Sequence, residues 1–303
     1  MGPSWLRRFA AGLVLAVACA TTAPATGAPG QAGPPPAPLR IDFIAVGQGD
    51  AALVTSPTGK TVLIDGGPKE AGPALTALLR ARRATAIDLV LLTHRHADHL
   101  GGLAEIVRTF PVRMFMDAPF PHPSAGYALL LEALQARKVA VRMATRGRTI
   151  DIGGGAVLTL LTPPDPPITR SRSDVNANSV VVRLDYRGIG TLFAADAEPQ
   201  TERWLLASTA ARLPAQILKV AHHGSSYSST APFLRAVAPL AAVISVGTPN
   251  NHRHPTPATL GRLEGLPAHV YRTDRDGTVT VETDGARIEV TTAGGKREIL
   301  RVR

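Results

Sequence analysis

Short apolar runs alternate with stretches of helical spacing from about residue 41 to residue 290. Residues 41–46, 51–55 and 61–64 read as strands separated by Gly-rich or Pro-Thr-Gly turns, a meander at one edge of a sheet. Apolar positions recur at helical spacing over 71–83, 100–109 and 127–138, and the branched run 87–92 reads as a buried strand. Residues 141–162 supply short strands around Gly153-Gly154-Gly155. The second half continues with strands over 179–186, 190–195, 216–221, 241–246, 270–274, 278–282 and 288–292, and a helix over 198–207. Strand, turn and helix follow one another in each half without sequence repetition, which predicts an α/β fold with two halves facing each other.

The ends differ from this pattern. Residues 1–28 carry Arg7-Arg8, an apolar run over 9–18 and small residues beyond, the order of an export signal, and the run is too short to cross a bilayer stably. Cys19, the only cysteine, follows Ala16-Val17-Ala18 and loosely resembles a lipoprotein processing site. Two readings stand there: a lipid anchor at the membrane, or simple cleavage and release. A lone cysteine also excludes an internal disulfide. Residues 29–40, with Pro34-Pro35-Pro36, read as a stiff linker, and the basic segment 293–303 as a mobile tail, leaving 41–292 as the folded domain. Hydrophobic residues make up 45% of the 303, ample for a core.

The chemistry concentrates in Thr93-His94-Arg95-His96-Ala97-Asp98-His99-Leu100-Gly101-Gly102, which packs three of nine histidines and a carboxylate into six residues. It leaves the end of the run 87–92, where a rigid sheet can aim it. Imidazole is the commonest metal ligand and Asp98 adds a hard oxygen, so His94 and His96 can face one ion and Asp98 and His99 another. Asp196 ends the apolar strand 190–195, and a carboxylate there needs a cation or hydrogen bonds to compensate it; it is a candidate bridge between two metals or, alternatively, an N-cap for the helix after it.

The signature T-H-R-H-A-D-H-L-G-G resembles that of the metallo-β-lactamase superfamily, whose members share H-x-H-x-D-H. Val46-Gly47-Gln48-Gly49-Asp50-Ala51, Ile64-Asp65-Gly66-Gly67, Ala195-Asp196-Ala197, Val220-Ala221-His222-His223-Gly224-Ser225 and His254-Pro255, in this order, resemble the hydrolase domain of ComEC-type competence proteins, a branch similar to phosphorylcholine esterases. The resemblance implies an αββα sandwich of two mixed sheets with helices on the outer faces. It also implies two divalent ions, Zn or Mn, held by His94, His96, Asp98, His99, Asp196 and His222. Asp65 would brace the histidine loop, its alternative reading from the sequence being a turn aspartate, and His254 would act as a ligand or proton donor from the far side. His223, next to His222 on what reads as an extended segment, is expected to point away toward second-shell or substrate contacts. The hydroxyls of Ser225, Ser226, Ser228 and Ser229 are expected either to hold phosphate oxygens or to cap the following helix. His122, between prolines, reads as an ordinary exposed residue, and His252 as peripheral. Many superfamily members carry a further histidine before the Asp196 strand; here Asn176, Asn178 and Ser179 occupy that region.

Two divalent ions lower the pKa of a bridging water and stabilise developing negative charge, which implies hydrolysis with Asp98 and His254 among the catalytic residues. No G-x-S-x-G elbow occurs, which argues against a serine hydrolase. A net charge of +10 favours anionic partners: a phosphodiester substrate, DNA included. The expectation is an exported phosphodiesterase or nuclease, secreted, periplasmic or lipid-anchored. The alternatives are a hydrolase of phosphorylcholine, lactone or β-lactam, and a non-catalytic surface binder of polyanions.

Overall fold

A computed structural model describes residues 37–302. The segment 1–28 expected to be an export signal, with Cys19 in it, lies outside the described residues. The chain opens with β1 (Leu39–Phe43), β2 (Ala52–Thr55), β3 (Thr61–Ile64), β4 (Leu89–Leu91), β5 (Met114–Asp117) and β6 (Ala140–Met143). It continues through β7 (Thr149–Gly153), β8 (Ala156–Leu160), β9 (Val182–Tyr186), β10 (Ile189–Phe193), β11 (Ile217–Lys219), β12 (Ala241–Ile244) and β13 (His269–Arg272), and ends with β14 (Val279–Thr283), β15 (Arg287–Thr292) and β16 (Arg297–Arg301). These build a nine-stranded sheet of order β16-β15-β14-β1-β2-β3-β4-β5-β6 and a seven-stranded sheet of order β13-β12-β11-β10-β9-β8-β7. Each sheet is mixed. The parallel strands are β3 to β6 in one and β10 to β13 in the other.

The period-two alternation of the strands separates three apolar layers. Val62, Leu91 and Met116 face the other sheet, where they meet Leu158, Phe193, Val243 and Tyr271. Their neighbours Leu63, Val90 and Phe115 face outward and are covered by the helices Gly72–Ala81, Leu103–Thr109 and Ala125–Ala136. The opposite face of the second sheet is covered by Pro199–Thr209, Ala231–Val237 and Pro257–Glu264. The result is the αββα sandwich that the resemblance implies.

Both ends of the expected domain move outward. The first strand begins at Leu39, so the last two residues of the expected linker are paired, Arg40 with Thr55 and Glu282. The segment expected to be a mobile tail is instead the edge strand β16, antiparallel to β15, with Leu300 buried against the inter-sheet core. The reason is alternation: Arg297, Ile299 and Arg301 face solvent, while Glu298 and Leu300 turn to the other face, where Glu298 accepts from Tyr271 Oη and Leu300 is buried, a pattern masked by the net positive charge of the segment. Replacing Leu300 by Ala should lower unfolding free energy by about 2 kcal/mol, read by urea denaturation. An unchanged midpoint would mean that this strand adds nothing to the core.

Candidate metal centre

The histidine loop is fixed by hydrogen bonds before any ligand enters. Asp65, at the end of β3 with φ of 59°, accepts from Thr93 N (2.8 Å), Thr93 Oγ1 (2.7 Å) and His99 Nδ1 (2.8 Å). Since Thr93 gives its hydroxyl proton to Asp65, it can accept from His94 Nδ1 at 3.1 Å. Both rings are thereby held with the Nδ1 proton outward and Nε2 free, the arrangement by which a carboxylate orients a metal-binding imidazole. Asp65 is therefore a brace, as the resemblance implies. The loop 47–50 is clamped onto the same segment, with Asp50 N donating to Asp98 O at 3.1 Å. A Cβ on Gly49 would lie 2.2 Å from Asp98 O, so only glycine permits this approach.

Two groups of donor atoms converge on the buried carboxylate of Asp196. Toward Oδ2 face His94 Nε2 (3.7 Å) and His222 Nε2 (3.6 Å), with His96 Nδ1 3.1 Å from His94 Nε2. Toward Oδ1 face His99 Nε2 (3.4 Å) and His223 Nε2 (3.7 Å). Asp98 Oδ2 closes this second group, 4.0 Å from His99 Nε2 and 3.2 Å from His223 Nε2. Four ligands at 2.0–2.2 Å on a tetrahedron lie about 3.3–3.6 Å apart, so each group has nearly the edge lengths of one coordination sphere. His99 Nε2, His223 Nε2 and Asp196 Oδ1 are buried without a hydrogen-bond partner among the described residues, which costs free energy unless something binds them. The donor set fits a divalent cation.

All six expected metal residues meet here, with His254 beside them: its ring lies 5.7 Å from that of His222 and 6.4 Å from that of His223. Asp196 does not cap the following helix, whose N-cap is Glu198. The expectation for His223 is overturned. His222 and His223 both adopt left-handed backbone, φ 49° and 54°, rather than an extended one, and so both rings turn into the site. His223 joins Asp98 and His99, while His222, like His94, faces Asp196 Oδ2. The serines differ too. Ser225, Ser228 and Ser229 are buried and hold the loop: Ser228 Oγ donates to Ala197 O, Ser225 Oγ accepts from Tyr227 N, and Ser229 Oγ accepts from Ala221 N. The next helix starts at Thr230 without a side-chain cap. His122 is half-buried, edge-on to the His96 ring, and His252 is exposed and stacked on His254.

Asp50 and Lys219 were not legible as site residues. Asp50 Oδ1 lies 3.2 Å from His223 Nδ1 as an ion-pair contact, Nδ1 itself donates to Ser245 O (3.0 Å), and Asp50 Oδ2 pairs with the buried Lys219 ammonium. Asp50 thus places negative charge against the His223 ring while Ser245 O takes its hydrogen bond. Burial alone would raise its carboxyl, but Lys219 and His223 outweigh that and bring it down to about 2. Burial likewise opposes ionisation of Asp98 and Asp196, yet the facing imidazoles hold both below the usual carboxylate range. Burial keeps His94, His96 and His222 neutral. His99 and His223 go the other way: burial would lower them, but Asp196 with Asp65 and Asp98 raises the first, and Asp196 with Asp50 raises the second to about 10. Their protons supply the positive charge that a cation would replace. Burial and the neighbouring His223, His222 and His252 push His254 down to about 4, so it is a neutral imidazole at pH 7.

The chain belongs to the metallo-β-lactamase superfamily, whose family model matches residues 44–248. Among the relatives it resembles are competence proteins. "ComE operon protein 3" of Bacillus subtilis (strain 168) is 28% identical over 258 residues, 79% of this chain and 32% of that protein. "Competence protein ComA" of Neisseria gonorrhoeae is 27% identical over 234 residues, 77% of this chain and 30% of that one. The chain thus spans about a third of the length of these relatives. The metallo-β-lactamase fold protein YhfI from Bacillus subtilis has the same fold, with a TM-score of 0.55 at 12% identity over 81% of this chain and all of that one.

Two outcomes are expected. Because a cation must displace protons from His99 and His223, whose folded pKa values are raised, affinity should increase with pH through neutrality. Binding at pH 7 should release about two protons per protein, measured by calorimetry in buffers of different ionisation enthalpy. Asp50→Ala leaves Lys219 buried without a counter-charge and should cost about 3–5 kcal/mol in urea denaturation, while Asp50→Leu with Lys219→Met should recover much of it.

Proposed function

We propose that this protein is an exported metal-dependent phosphodiesterase or nuclease that holds two divalent cations, Zn or Mn, on either side of Asp196. The reading is carried by one observation: seven side chains form two donor groups that share a single carboxylate and open onto one cleft. That cleft has a volume of about 920 Å³ and is lined by His96, Asp98, His222 and His254. Such a pair of cations supplies Lewis acidity and a water of lowered pKa, and suits an in-line displacement at phosphorus.

The chain's own residues do the rest. His94, His96 and His222, neutral at pH 7, offer lone pairs without first losing a proton. Asp98 and Asp196 bring negative charge that offsets that of the cations. His254 stands over the cleft as a neutral ring, so it can donate a hydrogen bond to a departing oxygen and steady the charge that develops there, but it carries no imidazolium proton to give away. Lys69 and Arg108 line the cleft together with Glu70 and Glu105, so the charge that favours an anionic substrate is the net +10 of the whole chain. Export is supported by the order of charge and hydropathy over residues 1–28, and an envelope location by the competence proteins it resembles. None of the described helices is long and apolar enough to cross a membrane.

The test uses purified protein loaded with Zn or Mn and offered bis-p-nitrophenyl phosphate, linear DNA, phosphorylcholine esters, a lactone and a β-lactam. Hydrolysis of the phosphodiesters, stopped by chelator and reduced at least about a hundredfold in Asp98→Ala, is the expected result. Turnover confined to one of the other substrates, or salt-dependent DNA binding without turnover, would overturn it.

A further inference from the structure

Asn176 and Asn178 are both buried and two residues apart, but their amides are used differently. Asn178 is fully engaged in holding its own loop: Oδ1 accepts from Ile168 N at 2.9 Å, and Nδ2 donates to Ile168 O and Asp174 O at 2.7 Å each. Asn176 makes no side-chain bond to its own loop among the described residues. It is 4% exposed, its Oδ1 is buried with no hydrogen-bond partner among the described residues, and its Nδ2 lies 3.4 Å from His222 Nε2. With Asp196 and His222 it lines the cleft. Leaving a buried amide oxygen unpaired is destabilising, so an Asn whose oxygen has no partner is out of place here unless a ligand uses it.

The backbone shows that the position is set. Asn176 lies in the short helix Asp174–Ala177, where its N donates to Ser173 Oγ at 3.3 Å. Thr201 Oγ1 donates to Ala177 O at 2.7 Å, and Val180 N bonds Thr93 O at 2.9 Å, which ties this turn directly to the start of the histidine loop. The amide is thus carried on a frame shared with His94.

We propose that Asn176 is a ligand, through Oδ1, of the cation held by His94, His96 and His222. His222 Nε2 has one lone pair. Once a cation takes it, Nδ2 loses its acceptor and its positive end faces a positive charge. The electrostatically favoured orientation of the amide then presents the oxygen, a hard donor suited to divalent ions. The Asp98, His99 and His223 group brings the carboxylate of Asp98 instead, so the two groups differ in donor set: one has an additional neutral oxygen, the other a second carboxylate. The inference rests on the metal-centre reading and is independent of the substrate.

Wild type, Asn176→Ala and Asn176→Asp are compared with Co2+ alone, reading stoichiometry and affinity by competition with a coloured chelator and coordination by the visible absorption of bound Co2+. Wild type should bind two equivalents. Asn176→Ala should weaken one of them about tenfold or more, leave the other unchanged and alter the spectrum, while Asn176→Asp, of the same shape with a charged oxygen, should bind at least as tightly as wild type. Wild-type affinity and spectrum in a folded Asn176→Ala would overturn the assignment, as would weakened binding in Asn176→Asp, which would mark the amide as a donor. If Asn176→Ala does not fold, the Asp variant decides alone. Failure of wild type to bind Co2+ would remove the metal centre itself, whereas two bound equivalents without phosphodiester hydrolysis would leave this assignment intact and end only the choice of substrate.

Discussion

The molecule depends on keeping the charge of Asp196 inside the protein. A carboxylate at 2% exposure, at the end of the fully buried strand β10, is untenable by itself. It persists because His94, His99, His222 and His223 all stand within 3.4–3.7 Å of its two oxygens. Those rings in turn need partners, and Asp65 and Asp50 supply them from the first sheet. Lys219 then balances Asp50. Each buried charge is answered by another, outward from the centre, until the network ends in backbone groups such as Thr93 N and Ser245 O.

The sandwich makes this network possible because no single layer contains it. His94 to His99 leave β4 in one sheet, while Asp196 and the His222-His223 pair leave β10 and β11 in the other. The glycines matter where the layers' loops close in on one another. Gly224, with φ of 83°, would place a Cβ 2.5 Å from Pro255 Cβ, and this close approach seats the His254-Pro255 loop beside the histidine pair. Eight of the nine histidines follow one another as ring neighbours across the site, from His122 and His96 to His254 and His252; His269 stands apart.

How much of this was legible in the sequence follows from the range of each interaction. His94, His96, Asp98 and His99 stand in one local motif, and Asp196 announces itself as a carboxylate ending an apolar strand, so both could be found without a structure. The strands and helices were legible for the same reason, since two-residue and 3.6-residue periods are local. The division of labour between His222 and His223 was not, because the alternation argument assumes extended backbone and nothing in Ala221-His222-His223-Gly224 signals two consecutive left-handed residues other than the glycine after them. Asp50 and Lys219 were missed because each looks ordinary alone and acquires meaning only when the two sheets meet. The serines misled by composition: a run of hydroxyls near a metal motif looks like an anion cradle, but burial consumes three of them in holding the turn. The edge strand β16 was hidden by charge, which dominates composition while a single inward leucine decides the pairing.

Drawing a donor for each half of the centre from neighbouring positions has a geometric consequence. His222 and His223 are joined by one peptide bond, yet their ring centroids stand 6.1 Å apart and their Nε2 atoms face different oxygens of Asp196. The dipeptide therefore tethers the two donor groups within a single turn of chain, so that a shift of this loop moves one donor of each group at the same time.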